Sequence, residues 1–345
     1  MSNVSYLTSD IVETILAKLP TLKIGVLGDL FLDRYFDLDA ALTEPSIETG
    51  LDAYQVVRVR SYPGAAGTVV NNLSALGVGA IFPIALIGDD GEGHELRQAL
   101  TALPGVSLDG VHSWPGRRTP TYLKPMLVVP GETPRELNRL DIHNRERLSG
   151  DAEDRLIQLL EQRWPELDGL IVLDQVSQPD CGMITGRVRD RIAELAVGDR
   201  GKFVLADSRE RIGLFRNVAV KPNQHEILRA MGGNSLEYAV WSLERQTGGI
   251  VFCTCGERGI LLSVSPPINV SEIPGYPVAG PIDPVGAGDS TSAGIMSALA
   301  AGADIEQAAA FGNLVASITV QQIGTTGTAT PDQVRARWRE VEAGT

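Results

Sequence analysis

The stretch that decides the fold is Asp283-Pro284-Val285-Gly286-Ala287-Gly288-Asp289-Ser290, which runs directly into the small and apolar residues 291–299. Proline is not tolerated in the interior of a helix, so Pro284 excludes a helix that spans the whole stretch. We therefore predict that a buried helix begins at the two glycines. The first backbone amides of such a helix have no partner within it, and they attract an anion.

Asp289 lies in the first turn of this predicted helix, next to Gly286, Ala287 and Gly288. A carboxylate beside an anion site suits phosphoryl transfer, because the carboxylate can take the proton of an attacking hydroxyl while the amides stabilise charge on the transferred group. The two glycines let a phosphate approach the backbone closely. On these residues alone a second interpretation stays open, in which Asp289 only complements the helix dipole.

Upstream of this stretch, short apolar segments alternate with amphipathic ones. Buried strands are predicted at 22–28, 79–87, 169–173, 202–205, 218–220 and 249–253, and helices at 9–19, 68–76, 92–102, 151–163, 185–196 and 224–231. Such alternation favours an α/β fold with a central, mainly parallel β-sheet flanked by helices on both faces. We expect one such domain over residues 1–345.

Two stretches interrupt this alternation. Residues 48–61 alternate polar and apolar side chains, and residues 120–140 contain the short runs 121–123 and 126–129 followed by a turn at 131–134. Both stretches predict half-exposed antiparallel strands and a hairpin. We expect them to form a small inserted β-sheet, with lid segments at about 34–61 and 117–140, that closes over a site. A peripheral sheet without that role is the alternative. Apolar strand residues such as 126–129 favour homodimerisation through this lid, because an exposed apolar strand needs cover.

The charge and the cysteines limit the partners. The chain has 30 Lys and Arg against 43 Asp and Glu, which gives a formal net charge of −13 and excludes nucleic-acid binding through a generally basic surface. No stretch approaches the roughly 20 apolar residues that span a bilayer, and the N-terminus lacks the pattern of a secretory signal. Three cysteines are too few for a disulfide framework. We expect a cytoplasmic protein that binds neither nucleic acid nor membrane.

The segment Asp283 to Asp289 resembles the signature of the ribokinase/PfkB carbohydrate kinases, in which an Asp and two variable residues precede Gly-Ala-Gly-Asp. Four further segments resemble family motifs in the family's order: 28–35, 64–68, 221–226 and 254–259. The resemblance extends from about residue 22 to residue 334. It implies a ribokinase-like fold, ATP and Mg²⁺ as cofactors, and Asp289 as the catalytic base with Gly286, Ala287 and Gly288 at the anion site.

The resemblance also implies substrate contacts. It implies that Asp33, Gly64, Ala65 and Thr68 bind the substrate, and Lys124 and Arg139 on the lid are candidates for a substrate phosphate. Asp33 follows the first strand, where open α/β sheets bind ligands, and its carboxylate can accept bonds from sugar hydroxyls. Structural alternatives stay open: Asp33 as a loop cap, and the two lid cations as solvated charges.

The remaining motifs concern the nucleotide and the metal. The resemblance implies that Asn223, Thr254, Gly256 and Asp283 bind the nucleotide, and that Glu226 and Asn223 bind the metal. Their hard oxygen atoms suit magnesium or its waters. Glu226 as a helix cap and Thr254 as part of a strand-end turn are the structural alternatives.

Within the family, the chain is most similar to the kinase domain of bacterial heptose 7-phosphate kinases, on residues 29–35, Lys124 and residues 138–141 and 315–328. Its sugar-binding turn departs from the family pattern, because Ala65 stands in place of a second glycine and Thr68 in place of an asparagine. Residues 284 and 285 replace the usual threonines of the signature, so that a monovalent cation is an open expectation.

We therefore predict an ATP-dependent, Mg²⁺-dependent kinase that transfers the γ-phosphate to a hydroxyl of a sugar or sugar phosphate. Two alternatives stay open. One is a catalytically silent sensor of sugars or nucleotides, which the changed sugar-binding turn favours. The other is a nucleoside or vitamin-precursor kinase of the same fold.

Overall fold

The computed structural model of the chain describes residues 6–129, 131–233, 235–264, 269–324 and 326–344. Its strands are β1 Lys23–Gly28, β2 Leu30–Pro45, β3 Asp52–Ala65, β4 Ala80–Ile87, β5 Val111–Ser113, β6 Thr121–Val128, β7 Arg135–Glu136, β8 Leu140–Ile142, β9 Gly169–Asp174, β10 Phe203–Ser208, β11 Ala219–Val220, β12 Phe252–Thr254, β13 Ile260–Val264 and β14 Asn269–Ile273. Its helices are α1 Ser9–Lys18, α2 Ala66–Ala75, α3 Gly91–Thr101, α4 Gly150–Arg163, α5 Gly186–Gly198, α6 Gln224–Met231, α7 Leu236–Thr247, α8 Ala287–Ala300, α9 Ile305–Thr319 and α10 Pro331–Gly344.

Six strands form the central sheet, in the order β11-β10-β9-β1-β4-β5, and every neighbouring pair is parallel. All residues of β9 are buried, as expected for a strand covered on both faces. Helices α2, α4 and α8 pack on the sheet. The α/β architecture predicted from the alternation of segments is thereby confirmed. Since all six strands run the same way, their carboxyl ends share one edge of the sheet.

A second sheet leaves the first at the end of β1. Strands β3, β2, β6 and β7 lie side by side in that order, with β8 paired to β6. Strand β2 starts two residues after β1 ends and pairs antiparallel with β3, from Leu30 opposite Ala65 to Pro45 opposite Asp52. We call these five strands the lid sheet. It is therefore rooted at the edge of the central sheet where β1 ends.

The expectation that residues 126–129 form an exposed apolar strand is wrong. Strand β6 lies between β2 and β7, and residues 126–129 are half-buried. Most of the exposed apolar side chains of the lid sheet lie on β3, an outer strand of that sheet: Tyr54, Val56, Val57, Val59 and Tyr62. Alternation in the sequence could not tell an inner strand from an outer one.

Helix α8 follows the prediction from the 283–290 stretch: Gly286 is its N-cap, and residues 290–299 are all buried. Helices α7, α9 and α10 and the pair β13 and β14 lie outside the predicted elements. The three-stranded antiparallel sheet β12-β13-β14 adjoins the central sheet through parallel bridges that join Val220 to Val251 and Asn223 to Thr254. Within the described ranges, no helix combines the length and the apolar character that a membrane span requires.

Candidate active site

The N-terminus of α8 presents free backbone amides. Gly286 has φ 79°, and a Cβ there would lie 2.5 Å from the Thr326 Cγ2, so both the backbone and the space require glycine. The amides of Gly288 and Asp289 have no hydrogen-bond acceptor in the described part of the chain. Such amides, at the positive end of a 14-residue helix, form a site for an anion.

The Asp289 carboxyl is half-buried beside these amides. Burial raises its pKa to about 7, and the neighbouring Asp207 carboxylate acts in the same direction. Lys221 and Arg209 oppose that rise. A carboxyl with a pKa near neutrality is suited to take a proton and to release it again.

Lys221 lies under the anion site. Its Nζ is 2.8 Å from the Asp207 Oδ2 and 3.6 Å from the point where a Cβ on Gly288 would lie. Burial lowers the pKa of Lys221, but the carboxylates of Asp207, Glu226 and Asp289 together outweigh that effect and leave the pKa above its ordinary value. The register of β10 and β11 brings the two residues together. Ala206 on β10 lies opposite Val220 on β11, so the residues that follow them, Asp207 and Lys221, are also neighbours. Lys221 is therefore a fixed cation.

A cavity of about 210 Å³ opens in front of Asp289. The lid sheet contributes Asp33, Ala65, Lys124 and Tyr122 to its wall, and other predicted site residues in the wall are Thr68, Arg139 and Gly286. We call this cavity the acceptor pocket. The structure thus brings the predicted base together with the predicted substrate residues.

Asp33 lies on β2 and faces Lys124, whose Nζ is 3.4 Å from the Asp33 Oδ2. Burial raises the pKa of Asp33, and Lys124 works against that rise. The Asp33 Oδ1 is buried and has no hydrogen-bond donor in the described residues. A Cβ on Gly64 would lie 2.9 Å from the Asp33 carboxyl, so this glycine leaves room for the carboxylate. The open Oδ1 is an acceptor for a hydroxyl.

The turn into α2 is strained at Ala65, which has φ 51° and ψ −119°. Non-glycine residues rarely adopt this conformation, because the Cβ clashes with the backbone. Thr68 follows in the first turn of α2 and is buried, near the N-terminus of α8: a Cβ on Gly286 would lie 3.7 Å from the Thr68 Cγ2. The starts of the two helices therefore face each other.

The two predicted lid cations already have partners. Besides Asp33, Lys124 contacts Tyr35, to whose hydroxyl its Nζ donates a 3.0 Å hydrogen bond. Arg139 donates two hydrogen bonds to Asp141, at 2.7 and 2.8 Å, and its guanidinium lies 4.1 Å from the centre of the Tyr122 ring. Both cations line the acceptor pocket with their charges largely balanced.

The predicted nucleotide residues lie elsewhere. Asn223 and Glu226 form a capping box at α6: the Asn223 Oδ1 accepts from the Glu226 amide at 2.9 Å, and the Glu226 Oε2 accepts from the Asn223 amide at 2.7 Å. Thr254 pairs with Asn223 through an isolated bridge, and Gly256 follows with φ 60°. None of them lines the acceptor pocket. The capping role proposed for Glu226 as an alternative is thus present.

Asp283 holds the loop that precedes α8. Its Oδ1 accepts a hydrogen bond from the Val285 amide and its Oδ2 from the Gly324 amide, both at 3.1 Å. These contacts fix the approach to Gly286 from both sides. A structural role for Asp283 is therefore visible in its contacts.

Sequence reasoning missed several residues of the site. Arg209 and Gln175 line the acceptor pocket just after the ends of β10 and β9. Asp29 holds the loop of Gln175, since its carboxylate accepts from the Gln175 and Met183 amides at 3.0 and 2.7 Å. Burial and the nearby Asp174 raise the pKa of Asp29 to about 6. The rule that ligands bind at the carboxyl ends of parallel strands could have identified both Arg209 and Gln175.

Comparisons with known proteins indicate the family resemblance and the fold of the chain. The model of the pfkB family carbohydrate kinases matches residues 217–333, which include α6 and α8. The bifunctional protein HldE of Trichlorobacter lovleyi is 31% identical over 339 residues, which cover 94% of this chain and 64% of that protein. The chain is thus similar to the pfkB carbohydrate kinases, as its motifs indicate. It spans slightly less than two thirds of the length of this relative, and the resemblance to the family that the motifs indicate is confirmed.

Several solved structures share the fold of this chain. The Arabidopsis thaliana ribokinase in complex with ribose and ATP superposes with a TM-score of 0.66 at 18% identity, covering 92% of this chain and 98% of the other. Phosphofructokinase-2 from Escherichia coli in complex with potassium gives 0.69 at 20% identity, covering 93% and 99%. The ribokinase-like fold expected from the sequence is confirmed.

Proposed function

We propose that this protein is an ATP-dependent and Mg²⁺-dependent kinase that transfers the γ-phosphate to a hydroxyl of a sugar or sugar phosphate. The observation that carries this proposal is the position of Asp289, which lies beside the free amides of α8 and also lines the acceptor pocket that contains Asp33. A base, an anion site and a hydroxyl acceptor in one pocket match the requirements of phosphoryl transfer to an alcohol.

Each group has a separate task in the transfer. Asp33 orients the acceptor through hydrogen bonds from its hydroxyls, and Asp289 takes the proton of the attacking hydroxyl. The amides of Gly288 and Asp289 stabilise charge on the transferred group, and Lys221 adds a fixed positive charge under them. Because these donors are held by α8 and by the Lys221–Asp207 ion pair, little reorganisation is needed during the reaction.

The charges around Lys221 fit a divalent cation held with the nucleotide. Asp207, Glu226 and Asp289 all raise the pKa of the single Lys221 ammonium group, so three carboxyl groups surround one cation and the cluster carries excess negative charge. Burial and Asp207 raise the pKa of Glu226, as expected where carboxylates lack a counter-charge. No group of three metal-binding side chains occurs in the described residues, so nucleotide phosphates would supply further ligands. Glu226 and Asn223 would hold Mg²⁺, which neutralises phosphate charge when bound.

Arg209 favours a phosphorylated acceptor. It is exposed at the acceptor pocket and has no ion-pair partner among the described side chains, whereas Lys124 and Arg139 are paired with carboxylates. A phosphate bound to Arg209 would therefore gain a charge-assisted hydrogen bond without breaking an existing ion pair. We assign the non-reacting phosphate of the acceptor to this residue.

The lid sheet has two roles in the proposal. It closes the acceptor pocket through Asp33 and Lys124, and its outer strand β3 offers the exposed apolar side chains Tyr54, Val57 and Tyr62 to a second copy. An apolar outer strand is a surface that proteins usually cover. We therefore propose that the homodimer contact lies on β3 rather than on residues 126–129.

A panel of sugars and sugar phosphates tests the proposed function. The protein is incubated with ATP and Mg²⁺, and release of ADP is measured for each acceptor beside its thermal melting shift. The proposal predicts ADP release with at least one sugar or sugar phosphate. Melting shifts without any ADP release would instead support the silent sensor. ADP release with only a nucleoside or vitamin precursor would show that the substrate belongs to that class and not to the sugars.

A further inference from the structure

A second cavity, of about 400 Å³, lies outside the acceptor pocket. We call it the basic cavity. Its wall includes Trp114, Arg117, His143, Arg145, Glu146 and Arg147. It shares no lining residue with the acceptor pocket, and none of these residues has a part in the proposed transfer reaction.

The arginines of the basic cavity have no ion-pair partner among the described residues. Across the described ranges, no carboxylate lies within ion-pair distance of Arg117, Arg145 or Arg147. The neighbouring Arg118 shows the contrast, since it pairs with Asp90 at 3.1 Å and with a second carboxylate at 3.3 Å. Although the chain has a formal net charge of −13, three guanidinium groups without an ion pair lie at this one cavity, against the single carboxylate of Glu146.

Arg117 is held in place and partly desolvated. Its Nη2 donates a 2.9 Å hydrogen bond to the Cys181 carbonyl, and its Nε is buried without an acceptor in the described residues. Burial lowers the pKa of its guanidinium, which shows that the charged form has lost solvation; Asp29 offsets only part of that loss. A guanidinium stays charged in proteins, so an anion in the cavity would restore part of the stabilisation that the charge has lost on burial.

Two further features suit an anion with an organic part. Ser149, also in the wall, caps α4, so the positive end of that 14-residue helix lies at the rim. Acidic residues in the first turn of α4, Asp151 and Glu153, offset part of this charge. Trp114 offers an apolar surface, and Glu146 is the single carboxylate among the lining residues.

We propose that the basic cavity binds a phosphorylated small molecule with at least two negative charges, at a site separate from the acceptor pocket. Its volume lies within the usual range of small-molecule sites, about 300–1,000 Å³. The occupant would lie next to His143, whose ring packs edge-on against Phe31 and Tyr122 at centroid distances of 5.9 and 5.5 Å. Both of those rings line the acceptor pocket, so the two sites share an aromatic wall.

The test uses sodium pyrophosphate as the probe, titrated calorimetrically into the full chain in magnesium-free buffer of constant ionic strength. The test variant carries Arg145→Ala and Arg147→Ala; the matched control carries Arg58→Ala and Arg339→Ala, which removes the same charge from exposed positions elsewhere. We expect the test variant to bind about tenfold more weakly or worse at one site, as loss of charge-assisted bonds to phosphate implies. Trp114 fluorescence should respond to pyrophosphate in the wild type.

Pyrophosphate binding at the α8 amides should be detected in the wild type, the test variant and the control alike, so it serves as an internal reference. The proposal predicts one equivalent fewer per chain in the test variant alone, with no Trp114 response. Equal stoichiometry and affinity in wild type, test variant and control would overturn it. This outcome is independent of turnover, so failure of the kinase proposal leaves the result interpretable.

Discussion

Lowering the pH from 8 to 6 should slow phosphoryl transfer about tenfold, because Asp289 must be ionised to take the proton of the acceptor. Burial and Asp207 place the pKa of Asp289 at about 7. With that pKa, about 91% of the protein carries the ionised base at pH 8 and about 9% at pH 6. Asp289 at its ordinary pKa of 3.8 would stay ionised throughout this range and would give no such slope.

The assay is kcat/KM for ADP release, measured from pH 6 to 8 with an unphosphorylated acceptor that has no titrating phosphate. Arg209→Gln is the matched variant, because Arg209 lowers the pKa of Asp289 and its loss must move the midpoint to higher pH. A flat profile between pH 6 and 8, or a midpoint that moves to lower pH in the variant, would refute the assignment of Asp289 as the ionising base.

Three further predictions concern single residues of the site. Ala65→Gly should raise the free energy of unfolding by about 1 kcal/mol, since relief of a strained φ outweighs the entropy cost of glycine; a lower midpoint of urea unfolding would contradict this. Arg209→Ala should raise KM about tenfold or more for a phosphorylated sugar and leave KM for the unphosphorylated sugar nearly unchanged, given loss of one charge-assisted bond; equal effects on both would remove Arg209 from phosphate binding. Glu226→Gln keeps an acceptor for the capping box, so stability should change by less than about 1 kcal/mol while the Mg²⁺ concentration for half-maximal ADP release rises; an unchanged Mg²⁺ dependence would limit Glu226 to its capping role.

The local sequence was sufficient to predict where α8 begins. Pro284 and the glycines at 286 and 288 restrict the backbone within a few residues, and the helix begins where they indicate. The capping box of Asn223 and Glu226 is local in the same sense. Such features depend on neighbours in the chain, so their prediction does not require the tertiary structure.

The charge cluster under α8 could not be predicted in this way. Lys221 lies in a recognised motif, but its partner Asp207 is 14 positions earlier and meets it only through the register of two parallel strands. Likewise, the apolar run at 126–129 predicted a strand but not its place inside the lid sheet. Pairing partners and neighbours across a sheet are set by packing, which the pattern of one strand does not contain.

The most direct test of the proposed transfer reaction is turnover by Asp289→Asn with the best acceptor of the panel. We predict that ADP release falls by about 10²- to 10⁴-fold, as expected for loss of a general base, while calorimetric ATP binding stays within a few-fold of the wild type. The variant should be at least as stable as the wild type at pH 8, because the raised pKa means that ionised Asp289 destabilises the folded state. Near-normal ADP release by a folded Asp289→Asn protein would contradict the assignment of Asp289 as the base.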